Sequence, residues 1–200
     1  MVRGSKFDPI EFVDAALTLL SEGGPTAVTM AAIARRSGAP TGSIYHRFPS
    51  RSAVVAAAWL RALTAFADRI EAALASASPS TALIAWSRSN PQEARALFLT
   101  EPAGLFDTAP PEDLSAAIRA QEARIEAAFE RRLDAAPAAG TPRAETFARL
   151  RFAVVDGPIA LIRTYLQSNE PIPAFVDTVA ESLHPLIGAE QRRFHPEAAE

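Results

Sequence analysis

The chain has no cysteine among its 200 residues, which excludes disulfides, thiol nucleophiles and cysteine-ligated metal. Lysine is nearly missing too: Lys6 is the only one, so almost every cation is an arginine. With abundant alanine, this reads as base-composition bias and helix propensity rather than as function. The three histidines, His46, His184 and His195, stand far apart, and no HExxH, CxxC or phosphate-cradling glycine loop occurs. Glu122 and Glu126 share a helix face but have Arg119 and Arg124 close by, the pattern of solvated charge pairs. No cofactor, no metal site and no catalysis are expected, and an enzyme or carrier is the least favoured function. Long apolar runs are also absent. The opening MVRGSKFDPIEF holds no segment of signal-peptide length, and the run from Phe152 to Leu166 is broken by Asp156 and Arg163. A cytoplasmic protein with no membrane partner is the expectation.

What the chain does have is enough apolar content, 48%, for a packed core. Its formal net charge of -3 hides an uneven distribution. Up to residue 51, Arg3, Lys6, Arg35, Arg36, Arg47 and Arg51 face Asp8, Glu11, Asp14 and Glu22, a balance of +2 that leaves -5 for the remainder. A slightly basic head on an acidic body suits a nucleic-acid contact confined to one end.

The periodicity is helical throughout and predicts an all-α fold. Asp8 is a good N-cap, Pro9 suits the first helical position, and Glu11 stands where a capping box needs it. Phe7 and Phe12 have staple spacing, and Ile10, Val13, Leu17 and Leu20 fall on one face, until Gly23-Gly24-Pro25 stops the helix. Thr29 caps a second helix with Met30, Ile33 and Ala34 inward; Gly38 fits a left-handed C-terminal residue, and Ala39 before Pro40 sharpens the turn. A third helix reaches Phe48, and Ser50 caps a fourth that runs to about Ala75. Breaks follow at Ser76–Ser80, Asn90-Pro91, Glu101–Gly104 and Ala109-Pro110-Pro111. Longer helices span roughly Pro111 to Ala135 and Thr146 to Ser168, with a linker from Ala136 to Pro142 between them. Pro171-Ile172-Pro173 introduces a last helix through Ile187.

The third helix has the properties of a reading head. At 100° per residue, Ile44 and Phe48 point inward, while Gly42, Ser43 and His46 lie opposite, flanked by Tyr45 and Arg47. A helical glycine costs about 1 kcal/mol relative to alanine. On an outward face that cost makes sense when a foreign surface must approach the backbone. Ser43 and His46 suit base edges; Tyr45 and Arg47 suit phosphates or bases. Arg51, in the first turn of the next helix, would make a phosphate clamp with the free amides there. The same pattern also describes an ordinary solvated corner.

The helix FVDAALTLLSEGG, the segment TMAAIARRSGAPTGSIYHRF and the following PSR resemble the N-terminal domain of the tetracycline-repressor (TetR) family of bacterial transcriptional regulators. The resemblance runs from about Asp8 to Leu63, the first third of the chain. It implies an N-terminal three-helix helix-turn-helix DNA-binding domain, residues 1–50, whose third helix enters the major groove of a near-palindromic double-stranded DNA operator. The matching contact positions are Thr29, Thr41, Gly42, Ser43, Tyr45, His46, Arg47 and Arg51, the last at the usual lysine position; Pro40 departs from the common polar residue. It further implies a C-terminal helical ligand-binding and dimerisation domain, residues 51–190, followed by a tail at 191–200. The function implied is a repressor that binds DNA as a homodimer and is released by a small molecule. An activator, or a regulator needing no ligand, fits the same residues.

For the body, the helix around 146–168 is apolar nearly all round and needs cover on several sides. A stripe of Phe175, Val179, Leu183 and Leu186 would complete a four-helix dimer interface with it, unless that helix is simply the buried centre of a monomer. Asp156-Gly157-Pro158 predicts a kink. Phe66, Trp86, Phe98, Phe106, Phe129 and Phe152 give bulk for an apolar or aromatic effector, with Asp156 as a polar pocket group; plain core packing accounts for the aromatics equally well.

Overall fold

The structure, a computed structural model, describes residues 7–76, 78–135 and 141–187. Ten α-helices account for most of these, and no strand occurs among the described residues. The all-α expectation is borne out.

Helix α1, Pro9–Ala27, starts at Asp8, whose carboxylate accepts from the Ile10 amide at 2.9 Å. Phe7 folds back towards Phe12 with ring centroids 6.4 Å apart, as the staple spacing predicts. Ile10 departs from expectation. It is 61% exposed, and the buried residues of α1 begin only at Phe12. The expected stop at Gly23-Gly24-Pro25 is a kink at Gly24, whose φ of 68° is open to glycine without strain; helical bonding resumes through Ala27. Thr29 caps α2, Met30–Ser37, by accepting from the Ala32 amide at 3.1 Å, and Gly38 ends it in the left-handed conformation. Pro40 precedes α3, Thr41–Tyr45, and has no side chain able to cap it. The regular part of α3 is shorter than expected, but Phe48 N donates to Ile44 O at 2.8 Å, so the turn is carried to the expected residue.

Helix α4, Arg51–Leu74, begins with the Ser50 hydroxyl accepting from the Ala53 amide and ends at Ala75, as its sequence foretells. Its first half packs on α1; its second half lies along α7, Glu112–Ala135. Helices α5, Pro79–Ser89, and α6, Pro91–Leu99, cross beside it and break at Asn90. Arg124 of α7 pairs with Asp68 at 2.7 Å and with Glu71, which also accepts from Arg131 at 3.0 Å, fixing α7 along α4. One continuous core from Phe12 to Ala180 results.

The apolar helix expected from Thr146 starts earlier and is not uniform. It comprises α8, Arg143–Arg151, a π-helical turn over Phe152–Asp156, and α9, Gly157–Ser168. The Gly157 amide donates to Phe152 O, five residues back, which accommodates Pro158 and its missing donor. A Cβ at Gly157 would lie 2.7 Å from Leu183 Cδ1, so this glycine sets the close approach of the chain's last segment. That segment is also shorter than expected: α10 covers Phe175–Glu181 and gives way to a tight turn at His184–Leu186, where Pro185 supplies no amide. Residues 136–140 of the expected linker and the whole expected tail lie outside the described residues.

Candidate nucleic-acid interface

Three short elements position the face. Thr29 caps α2, the left-handed Gly38 turns the chain, and buried Ile33, Ala39 and Ile44 seat α3 against α2. With Ile44 fully buried and Phe48 half-buried, the opposite side must face water. Thr41, Gly42, Tyr45, His46 and Arg47 are exposed there and Ser43 is half-buried; Tyr45 keeps 53% of its surface. A Cβ on Gly42 would meet nothing within 4 Å, so nothing inside the fold requires a glycine there. Arg47 forms no ion pair among the described residues. Thr29, the cap of α2, is exposed as well.

Arg51 is placed differently. Its Nε donates to Val28 O at 2.6 Å and its Nη2 to Pro25 O, while Nη1 pairs with Asp107 Oδ2 at 2.8 Å. Only 18% of the side chain is exposed. The guanidinium therefore gathers the carbonyls of Pro25, which also accepts from the Val28 amide at 3.2 Å, and of Val28, and binds them to the loop between α6 and α7. Thr108 reinforces that junction, its amide and hydroxyl both 3.2 Å from Ser52 Oγ. Neither Asp107 nor Thr108 was suggested by the sequence. More than fifty residues separate them from their partners, and no local pattern carries such a pairing. On α2, Arg36 makes two bonds to Glu22 at 2.6 and 2.8 Å, and this hydrogen bonding holds the Glu22 carboxyl below its ordinary range.

The aromatic residues of the body divide into groups. Phe66, Trp86 and Phe98 form a buried triangle with centroids 5.6 to 6.0 Å apart. Phe129 packs instead against Phe147 at 5.8 Å, and Phe106 is half-buried. Phe152 is 46% exposed, and Asp156 lies exposed nearby, its carboxylate 3.4 Å from Arg151 Nε. The structure thus brings three of the seven pocket candidates together. No group of histidine, aspartate and glutamate suited to a metal ion occurs among the described residues. No helix there is long and apolar enough to cross a membrane.

Residues 12–58 match the family model described as bacterial regulatory proteins, tetR family. No curated protein is similar enough in sequence to count as a relative. Solved structures share the fold over nearly the whole chain. A protein from Shewanella sp. PV-4 described as a tetR-family transcription regulator is 19% identical, with a TM-score of 0.60, over 90% of this chain and 96% of its own. FadR of Bacillus subtilis, solved with stearoyl-CoA, is 14% identical with a TM-score of 0.61 over 90% and 97%. SmeT, the repressor of a Stenotrophomonas maltophilia multidrug efflux pump, is 16% identical with a TM-score of 0.58 over 97% and 96%. The exposed face of α3 thus lies inside the segment similar to the DNA-binding domain of bacterial regulatory proteins of the tetR family, and the helical body shares its fold with solved structures of such proteins.

Proposed function

We propose that the protein is a cytoplasmic, ligand-released repressor that binds a palindromic operator as a homodimer. The observation that carries this reading is the outer face of α3. It combines a glycine with open space above it, hydrogen-bonding side chains at Ser43 and His46, and an arginine with no partner among the described residues. Base edges would be read by Ser43 and His46, with Thr29, Thr41, Tyr45 and Arg47 on phosphates and flanking bases and Gly42 allowing the close approach. Arg51 acts as a positioning residue: it locks the end of α1 beneath α4, whose first amides remain available to a phosphate.

Residues 1–50 are the DNA-binding unit in this reading, and 51–190 serve sensing and dimerisation. Phe152, Phe175, Val179 and Leu186, all 36% exposed or more, support a second copy packing on this side. The Phe66–Trp86–Phe98 triangle supports an apolar or aromatic effector, as do the stearoyl-CoA complex and the efflux-pump repressor among similar structures. Effector binding would move the two heads off the roughly 34 Å spacing of successive major grooves. An effector does so only through unequal affinity for the two arrangements.

The test is selection of bound duplexes from a random library, followed by titration of the enriched site at several salt concentrations. Arg47→Ala is expected to weaken binding by about tenfold or more and to flatten the salt dependence. Unchanged affinity and slope would refute the assignment of this face.

A further inference from the structure

A cleft of about 280 Å³ opens between α5, α6 and the C-terminal end of α9. Its size is just under the usual range of small-molecule sites, about 300–1,000 Å³. Pro91, Tyr165, Leu166, Pro171 and Ile172 give it apolar walls, and two guanidiniums stand at its side, those of Arg88 and Arg95. They differ in what they meet. Arg88 is neutralised by Asp177, at 2.7 Å, and also donates to the carbonyls of Ile172 and Pro173. Arg95 hydrogen-bonds only to neutral acceptors among the described residues: Ser21 O at 2.9 Å, Leu166 O at 2.5 Å and Asn169 Oδ1 at 3.1 Å; Glu22 acts on it through space, but that carboxylate is already bonded twice by Arg36. Glu170 lies on the rim, but it is exposed and forms no ion pair with Arg95. A partly buried cation with no carboxylate in direct contact, set beside apolar walls, favours an anionic partner.

We propose that this cleft binds a small amphipathic carboxylate, its head on the Arg95 guanidinium and its short apolar body against Tyr165, Leu166 and Ile172. The site is separate from the buried aromatic triangle, and it requires nothing of the DNA-binding reading. Its position gives it consequence all the same, because Arg95 also holds α1 through the Ser21 carbonyl.

Isothermal titration of the full chain without DNA tests the site, with octanoate as probe and 1-octanol and octylamine as controls. Octanoate is expected to bind at least about tenfold more tightly than either control. Arg95→Gln should weaken octanoate about tenfold, and Glu170→Gln should tighten it about twofold by removing the rim charge. Ile172→Glu, in the loop after α9, should abolish binding; it decides the matter if the Arg95 variant fails to fold. Equal binding of octanol, preference for octylamine, no octanoate binding by the native chain, or octanoate binding retained in Ile172→Glu would each overturn the proposal. Operator binding enters none of these measurements, so failure here leaves the DNA assignment standing.

Discussion

The outer face of α3 and the body treat their arginines in opposite ways. In the body, Arg88, Arg95 and Arg124 each tie one helix to another through carboxylates or carbonyls. On the outer face of α3, Arg47 has no partner among the described residues, and its neighbours Gly42 and His46 are equally open to water. Arg51 stands between the two cases. Its sequence position matches a DNA contact, yet its guanidinium does the work of the body arginines, holding the Pro25 and Val28 carbonyls and Asp107. Position along the chain and orientation in space are thus separate properties, and an exposed cation without an internal partner is the better mark of an outward-facing surface.

That contrast can be broken most forcefully in the body. If Trp86 is ordinary core, Trp86→Ala should cost about 3–5 kcal/mol in urea unfolding. A loss under about 1 kcal/mol would mean that the aromatic triangle already borders open space, the outcome expected of an effector pocket. Next in size is the apolar side. Phe175→Asp should weaken self-association by at least about 2 kcal/mol, read as a shift from dimer to monomer in sedimentation at micromolar concentration. Arg51 sharpens the comparison most directly: Arg51→Ala should lower stability by about 1–3 kcal/mol, because the Val28 carbonyl loses the guanidinium and the tie to Asp107 is lost, while Pro25 keeps the Val28 amide. Arg47→Ala should change melting by no more than about 0.5 kcal/mol while harming operator binding.

The smallest effect is on pH dependence. Hydrogen bonding from Arg36 holds the Glu22 carboxyl below its ordinary value near 4.5, and Arg124 does the same for Glu71. A carboxyl depressed in the folded state contributes stability above its unfolded value. That contribution disappears as the pH falls through the folded value. Stability should therefore decline on acidification below about 4.5, and Glu22→Gln should make the decline slightly shallower in thermal melts across that range.

The local grammar of the head was legible in the residues. Asp8, Thr29 and Ser50 each cap the helix that follows, and Gly38 takes the left-handed turn, because capping and turn chemistry depend on residues a few positions apart. The face of α3 followed from the same short-range periodicity. Ile10 misled because periodicity names a face without saying where along it the core begins. In the body, the π-helical turn at Phe152–Asp156 was visible only as a kink, since Gly157-Pro158 forces an adjustment without dictating which one. The Asp107, Thr108 and Arg95 ties join segments more than fifty residues apart and leave no local trace. The aromatics of the body named candidates, but only packing could separate the Phe66–Trp86–Phe98 triangle from exposed Phe152.

Helix α4 carries 24 residues without interruption, a rod of about 36 Å at 1.5 Å per residue. Its far half is wedged against α7 by the Glu71 pairs, and its near end is tied to the head through α1 and the Arg51 bonds to Pro25 and Val28. A rigid rod magnifies angle into distance: a swing of about 5° about the α7 end sweeps the other tip through about 3 Å over that length. A displacement of that size is as long as a hydrogen bond, so a rearrangement too slight to disturb the packing around Glu71 would be enough to pull a side chain on α3 away from a base in the proposed complex.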